Sequence, residues 1–313
     1  MSKVQSRFQE PVGQMVTPRR NRVDLHTHTD RSDGVLSPRQ LYDDMHAFGL
    51  RLAAVSDHDT LAGYRELRAA GLGRGAEPDG PQLIPAVEIN SIADRELREM
   101  GVQLEEGELH ILGFGVDADD ERFEERLAAQ RDSRKTRLLL IIEALRRLGR
   151  PIDDQMAPLL TEQEALGRPH IARAMVEAGH VGSVQEAFDL WIDRNGPAYV
   201  PRQGLATREA IDAINQAGGV CVLAHYPAAP EQPELIELLV GWGLRGLEVN
   251  YRRFEPETVE RMTAFASERG LLATGGSDYH GDGMSYAEAQ ATTWVPDEVG
   301  ERLLDALATQ PSR

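Results

Sequence analysis

The 313-residue chain is 41% hydrophobic and carries 34 Lys and Arg against 51 Asp and Glu, a formal net charge of −17. That charge excludes a broad electrostatic grip on duplex nucleic acid, and no apolar run is long enough to span a bilayer. The single cysteine, Cys221, excludes an intrachain disulfide and a Cys-rich zinc site, and the apolar run around it reads as buried strand. In chain order, residues 1–21 are polar, lack the apolar segment of a signal peptide and read as a flexible extension, with the cytoplasm as the expected compartment.

Short apolar runs then recur at Val23–His26, Leu52–Val55, Leu83–Val87, Leu109–Phe114, Val220–Ala224, Gly246–Val249 and Leu271–Thr274. Continuous rather than alternating hydrophobicity predicts strands buried on both faces of a parallel sheet. Helical patterns lie between them. Ser37-Pro38 opens one that runs to Phe48 and stops at Gly49. Another spans Thr60–Ala70 with Asp59 as its expected cap, and a third spans Thr207–Ala217 with Thr207 as cap. Alternating strands and helices predict an α/β barrel or an open sheet. From Asp119 to Gly204 the rhythm breaks into helices alone. Glu121–Leu148 reads as one long amphipathic helix with Leu127, Leu138, Ile141, Ile142 and Leu145 on its apolar side, followed by Pro169–Ala178 and Val184–Asp193. This stretch reads as an insert, a lid over the site.

Chemistry concentrates at the strands. Val23-Asp24-Leu25-His26-Thr27-His28 places a carboxylate and two imidazoles on one face, because residues two apart on a strand point the same way. His58, His110, His225 and His280 also fall at or just after predicted strands, with Asp33, Asp57, Asp59, Glu88 and Asp278 close by. Strand C-termini gather on one face of a barrel, where active sites are built. Imidazole and carboxylate without thiolate suit Mn, Zn or Fe, and there are too many ligands for one tetrahedral ion. At least two ions are implied, with Glu88 placed to bridge, around a hydroxide made at neutral pH by lowering the pKa of bound water.

Asp24-Leu25-His26-Thr27-His28, Ser56-Asp57-His58-Asp59-Thr60, Glu88, His110, Ala224-His225 and Ser277-Asp278-Tyr279-His280-Gly281 together resemble the ordered motifs of the PHP (polymerase and histidinol phosphatase) family. The resemblance covers roughly Arg22 to Gly281. It implies a distorted seven-stranded (β/α) barrel, an α/β fold, with a trinuclear metal centre and phosphoesterase activity. The barrel would comprise residues 22–118 and 205–313, with 119–204 as the helical insert. Carried over residue by residue, one metal would use His26, His28, Glu88 and Asp278. A second would share Glu88 and take His110 and His225, and a third would take Asp33, His58 and His280. Mn²⁺ is the expected metal, with Zn²⁺ or Fe²⁺ as alternatives. The catalytic group would be a metal-activated hydroxide, and no protein nucleophile is assigned. Asp24, Asp57 and Asp59 are expected to orient ligands or cap helices, Asp24 by holding a ring nitrogen of a ligand histidine.

The insert narrows the resemblance. Gly167-Arg168-Pro169-His170, Glu186-Ala187-Phe188 and Pro197-Ala198-Tyr199-Val200-Pro201 resemble a bacterial branch that cleaves nucleotides, either 3′,5′-nucleoside bisphosphates or short RNA from its 5′ end. Arg134, Lys135, Arg168 and His170 are then the expected substrate contacts, among a basic cluster that also holds Arg131 and Arg137. The implied substrate is a small nucleotide or short single-stranded RNA, with no membrane and no obligate protein partner. Histidinol-phosphate phosphatase and a non-catalytic metal-binding module are the alternative readings. The acidic stretch between Glu88 and His110, with Glu96, Glu99, Glu105, Glu106 and Glu108, reads as a loop of unassigned role.

Overall fold

The computed structural model describes residues 21–74, 80–100, 108–162, 165–281 and 283–309. Residues 1–20 of the expected extension, and Glu105 and Glu106 of the acidic stretch, lie outside these. Seven strands form one sheet in sequence order: β1 (Val23–Asp24), β2 (Leu52–Val55), β3 (Gln82–Ile92), β4 (Glu108–Phe114), β5 (Val220–Leu223), β6 (Leu244–Tyr251) and β7 (Leu272–Gly276). The sheet curls back on itself. Leu25 N donates to Gly275 O at 3.1 Å, and a parallel bridge joins Thr27 to Tyr279, leaving a nearly closed barrel.

The helices are α1 (Pro38–Phe48), α2 (Ala62–Ala69), α3 (Arg95–Glu99), α4 (Glu121–Arg147), α5 (Asp153–Glu162), α6 (Arg168–Glu177), α7 (Val184–Ala187), α8 (Thr207–Gln216), α9 (Pro233–Gly241), α10 (Pro256–Glu268), α11 (Tyr286–Ala291) and α12 (Asp297–Ala308). A π-helical turn, Phe188–Ile192, continues α7 where one helix to Asp193 was expected. Local chemistry accounts for α1. Ser37 accepts from the Gln40 N–H, Pro38 supplies its fixed φ, and Gly49 ends the helix at φ 89°.

One strand departs from the expected parallel sheet. β4 runs antiparallel to both β3 and β5. Its unbroken apolar run reflects burial on both faces and carries no information about direction. Leu112 and Phe114 face the barrel interior with Leu25, Ala86 and Val222, while Leu109 and Ile111 face an outer cluster with Ile211 and Ile214 of α8. β3 also runs to Ile92 rather than stopping before Glu88, so the expected acidic loop begins as strand, continues into α3 and ends with Glu108 inside β4. The inner cluster is closed by Val299 and Leu303 of α12, at the end where β1 and β2 begin.

Two expected caps are corrected. Leu61, not Asp59, precedes α2, because the Asp59 side chain is drawn to arginines far along the chain. Ala206 precedes α8, whose Thr207 instead donates to the Ile92 carbonyl.

α4 belongs to two cores. Phe123 and Leu127 pack in the barrel's outer cluster, whereas Leu138, Ile141, Ile142 and Leu145 join Met156, Ile171, Met175 and Ile192 in a separate cluster. The long helix thus joins the barrel's outer cluster to a second one shared with α5, α6 and the π-helical turn. No helix among the described residues is long and apolar enough to cross a membrane.

Candidate metal centre

Three groups of side chains each place ligand atoms within 4.8 Å of one another: His26, His28, Glu88 and Asp278; Glu88, His110 and His225; and His28, Asp33, His58 and His280. These are the residues the motifs singled out, and they come from both halves of the barrel. His28 joins the third group as well as the first.

Glu88, buried in the middle of β3, is the hub. Its Oε2 lies 3.1 Å from His26 Nε2, 3.1 Å from His28 Nε2 and 3.2 Å from His58 Nδ1. Its Oε1 lies 2.7 Å from His110 Nδ1 and 3.1 Å from His225 Nε2. Asp278 Oδ1 lies 3.3 Å from His26 Nε2 and 3.2 Å from His28 Nε2, and Asp33 Oδ1 lies 3.2 Å from His280 Nε2. His110 stands near the start of its strand, where the rule of strand C-termini would exclude it. The antiparallel course of β4 brings that start to the same face as the other strands' ends.

Several of these contacts are close without being hydrogen bonds. His28 Nδ1 and Nε2, His58 Nδ1 and Asp33 Oδ1 are buried and have no hydrogen-bond partner. Buried polar atoms are normally paired, so lone pairs that converge without pairing fit a cation between them. The donor set, imidazole and carboxylate without thiolate, fits divalent transition ions.

Burial works to raise the Glu88 carboxyl, but His58, His26 and His110 hold it well below the usual range. Asp33 and Asp278 are likewise held well below it against burial, by His58 and His280 and by His26 and His280 respectively. Burial lowers His26, yet Glu248, Glu88 and Asp278 drive it well above the ordinary imidazole value. Against the same burial, Asp33 and Asp278 push His280 up to about 10.

Among the described residues, Asp59, His225 and Asp278 are the non-glycine positions with positive φ, at 52°, 30° and 47°. Such conformations persist where surroundings over-determine them, and all three border the cluster. Asp278 is held by its N–H to the His26 carbonyl at 2.8 Å and by Tyr251 OH donating to its Oδ2 at 2.9 Å.

The three second-rank carboxylates do not all act as expected. Asp24 touches no ring nitrogen. It accepts from the backbone N–H groups of His26 and Ser277 and from Ser277, Tyr286 and Gln290 side chains, pinning β1 to β7 and α11. The residue that holds a ring nitrogen is Glu248 of β6, at 2.9 Å from His26 Nδ1. Sequence reading passed over it, although a lone acid within the apolar run Gly246–Val249 is a signal that a partner is needed. Asp57 accepts from Thr29 N, Thr29 Oγ1 and Ser32 Oγ, shaping the loop that delivers Asp33.

A cavity of about 1130 Å³ opens over the cluster between barrel and insert. Arg134, Arg137, Gly167, Arg168 and Arg202, all within residues 119–204, line it on the side away from the barrel strands. Asp59 Oδ2 accepts from both Arg134 and Arg202, and the Asp59 carbonyl accepts from Arg131. His170 is buried at the start of α6, with Nδ1 bonded to Gly167 and Nε2 unpaired. Lys135 does not join them. One step along α4 from Arg134, it points outward and donates to the Leu160 carbonyl. Arg202 was not anticipated from sequence.

No protein-family model matches the chain. It is 31% identical over 281 residues to the 5′-3′ exoribonuclease Rnm of Escherichia coli, covering 87% of this chain and 89% of that protein. It is 28% identical over 286 residues to the 3′,5′-nucleoside bisphosphate phosphatase of Chromobacterium violaceum, covering 88% and 92%. Among solved structures, one described as a metal-dependent phosphoesterase of Bifidobacterium adolescentis superposes with a TM-score of 0.75 at 31% identity, over 92% of this chain and 97% of that one. Barrel, cluster and relatives define a metal-dependent hydrolase of phosphate esters. Within that class, the chain belongs to the PHP family of phosphoesterases.

Proposed function

We propose that the protein hydrolyses nucleotide phosphate esters, converting 3′,5′-nucleoside bisphosphates to 5′-monophosphates, degrading short RNA from its 5′ end, or both. The observation that carries this reading is the convergence of three ligand groups beneath a cavity lined by insert arginines. The names of the exoribonuclease and bisphosphate phosphatase relatives support the nucleotide part of it.

His26, His28, Glu88 and Asp278 would hold one ion, Glu88, His110 and His225 a second, and Asp33, His58 and His280 a third, with Mn²⁺ our choice of metal. Bound there, the ions supply Lewis acidity and ionise water at neutral pH. Glu88 keeps the groups in register, because its two oxygens serve different sets of imidazoles. Arg134 and Arg202 hold positive charge where a substrate phosphate enters, and Gly167 leaves room beside them. A Cβ there would stand 3.4 Å from Arg134 Nη1 and 3.6 Å from Asp33 Oδ2. Arg168, stacked on Phe188, and the unpaired His170 Nε2 complete the basic wall. Residues 119–204 act in this reading as an insert that excludes water and grips the nucleotide, and the enzyme works in the cytoplasm.

The test is an assay of metal-free protein, with Mn²⁺ restored, on adenosine 3′,5′-bisphosphate, 5′-phosphorylated oligoribonucleotides and histidinol phosphate. Nucleotide turnover that disappears in His26→Ala and Asp278→Ala, with circular dichroism unchanged, is the expected result. Turnover of histidinol phosphate alone, or normal turnover in either variant, would overturn it.

A further inference from the structure

We propose that Glu248 is a positioning residue that sets how His26 and His225 present their Nε2 atoms to the ions. The inference rests on the ligand assignment above and goes beyond it, since Glu248 is in none of the three ligand groups.

Glu248 is fully buried, and an isolated carboxylate in such a place is very costly. Its oxygens are committed to two partners, and both belong to ligand-bearing residues. Oε1 lies 2.9 Å from His26 Nδ1, and Oε2 accepts from the backbone N–H of His225 at 2.8 Å. On the opposite edge of its ring, His26 directs Nε2 at Glu88 and Asp278. Glu248 therefore sits behind the imidazole, away from the ligand atoms.

That placement decides a tautomer. A neutral imidazole has one N–H. A carboxylate behind Nδ1 keeps the proton there and leaves the Nε2 lone pair facing the site, which is the form a metal requires. The second bond acts on the backbone. His225 holds φ 30°, a conformation that L-residues avoid, and its N–H to Glu248 Oε2 helps to fix it. In that conformation His225 Nε2 reaches Glu88 Oε1 at 3.1 Å. β6 is built for the purpose. Its pairing with β7 slips between Glu248 and Asn250, and such a bulge re-aims side chains, so Glu248 and Tyr251 both reach the site side of the strand.

Glu248→Gln separates this role from simple packing. The amide can offer its oxygen to His26 or to the His225 N–H, but its NH₂ group then faces the other partner. One arrangement sets donor against the His225 N–H. The other drives the His26 proton onto Nε2, into the ion site. Full-length wild type, Glu248→Gln, Glu248→Asp and His26→Ala would be stripped by chelation and titrated with Co²⁺ alone, following bound metal and the visible spectrum, with melting of the stripped proteins in parallel. Glu248→Gln should lose roughly 10–100-fold in Co²⁺ affinity and change the spectrum. Glu248→Asp, which keeps the charge, should recover part of that loss and stands in should the Gln variant not fold. Wild-type affinity and spectrum in Glu248→Gln would overturn the role of Glu248 and leave the ligand assignment standing. Failure of the wild type to bind Co²⁺ would overturn the assignment and this inference with it.

Discussion

Arg134 donates from Nε to Asp59 Oδ2 across the junction of insert and barrel, and Arg202 Nη2 reaches the same oxygen at 3.3 Å. Asp59 directly follows His58, so one carboxylate ties these guanidinium groups to the backbone beside the histidine cluster. All three side chains are buried. Asp59→Asn takes from Arg134 its carboxylate partner and leaves Arg202 with Glu108 Oε2 at 3.7 Å, and removing one partner of a buried pair costs about 3–5 kcal/mol. Denaturant unfolding should show a loss of that order. Inorganic phosphate should restore part of it by taking the carboxylate's place. An unchanged midpoint would mean that the arginines are balanced elsewhere.

Gly276 tests how closely β1 and β7 must approach. A Cβ there would fall on the backbone nitrogen and Cβ of His26 and within 2.9 Å of Asp24 Oδ1. The strands cannot part freely, because Leu25 N and Ser277 N bond across the same seam. Gly276→Ala should cost about 1–3 kcal/mol, as overpacking does, and displace His26 enough to weaken metal binding. Gly241→Ala is the control. Nothing lies within 4 Å of its added carbon, and alanine in a helix should be neutral or slightly stabilising. Thermal melting and metal content of both variants provide the check.

Where sequence reading succeeded, the information was local or ordered. α1 carries its own start and stop within Ser37 to Gly49, and the motifs whose histidines and carboxylates converge follow one another in a fixed order along the chain. It failed where partners are distant or direction matters. Asp59 was assigned to the helix beside it, but its partners lie on α4 and at Arg202. The ring-nitrogen role expected of Asp24 falls to Glu248, because nothing in a lone Gly246–Val249 run names His26 as the partner. Lys135 and Arg134 are neighbours in sequence yet point to different sides of one helix. The direction of β4 was not legible, since apolar residues bury equally well in either sense.

His170 gives the insert a pH dependence. Burial pushes its imidazole below the ordinary value, with Arg173 and Arg134 nearby adding to the effect. A histidine whose folded pKa lies below its unfolded pKa favours unfolding as acid is added. The penalty starts near the unfolded value of about 6.5 and grows until the folded group also protonates. His170→Asn keeps an acceptor for the Gly167 N–H and cannot titrate. The difference in melting temperature between wild type and His170→Asn should therefore shift in the variant's favour as pH falls from 7 to 5. A difference independent of pH would show that His170 is not held neutral.

Metal removal should leave a folded protein that takes up ions with release of protons. In the ion-free cluster, His280 is raised to about 10 by Asp33 and Asp278, and His26 is raised well above its ordinary value by Glu248, Glu88 and Asp278, in each case against burial. His280 then carries a proton at pH 8 that pairs with the carboxylates and helps to keep the site from repelling itself apart. A ligand nitrogen must give up its proton to bind metal, so loading and deprotonation are one event. Calorimetric titration of chelated protein with Mn²⁺ in two buffers of different ionisation enthalpy should show net proton release at pH 8. The release should shrink as pH rises toward 10, where His280 loses its proton unaided, and apparent affinity should climb over the same range. Proton uptake on loading, or a stoichiometry flat across that range, would show that His280 is neutral before the ions arrive.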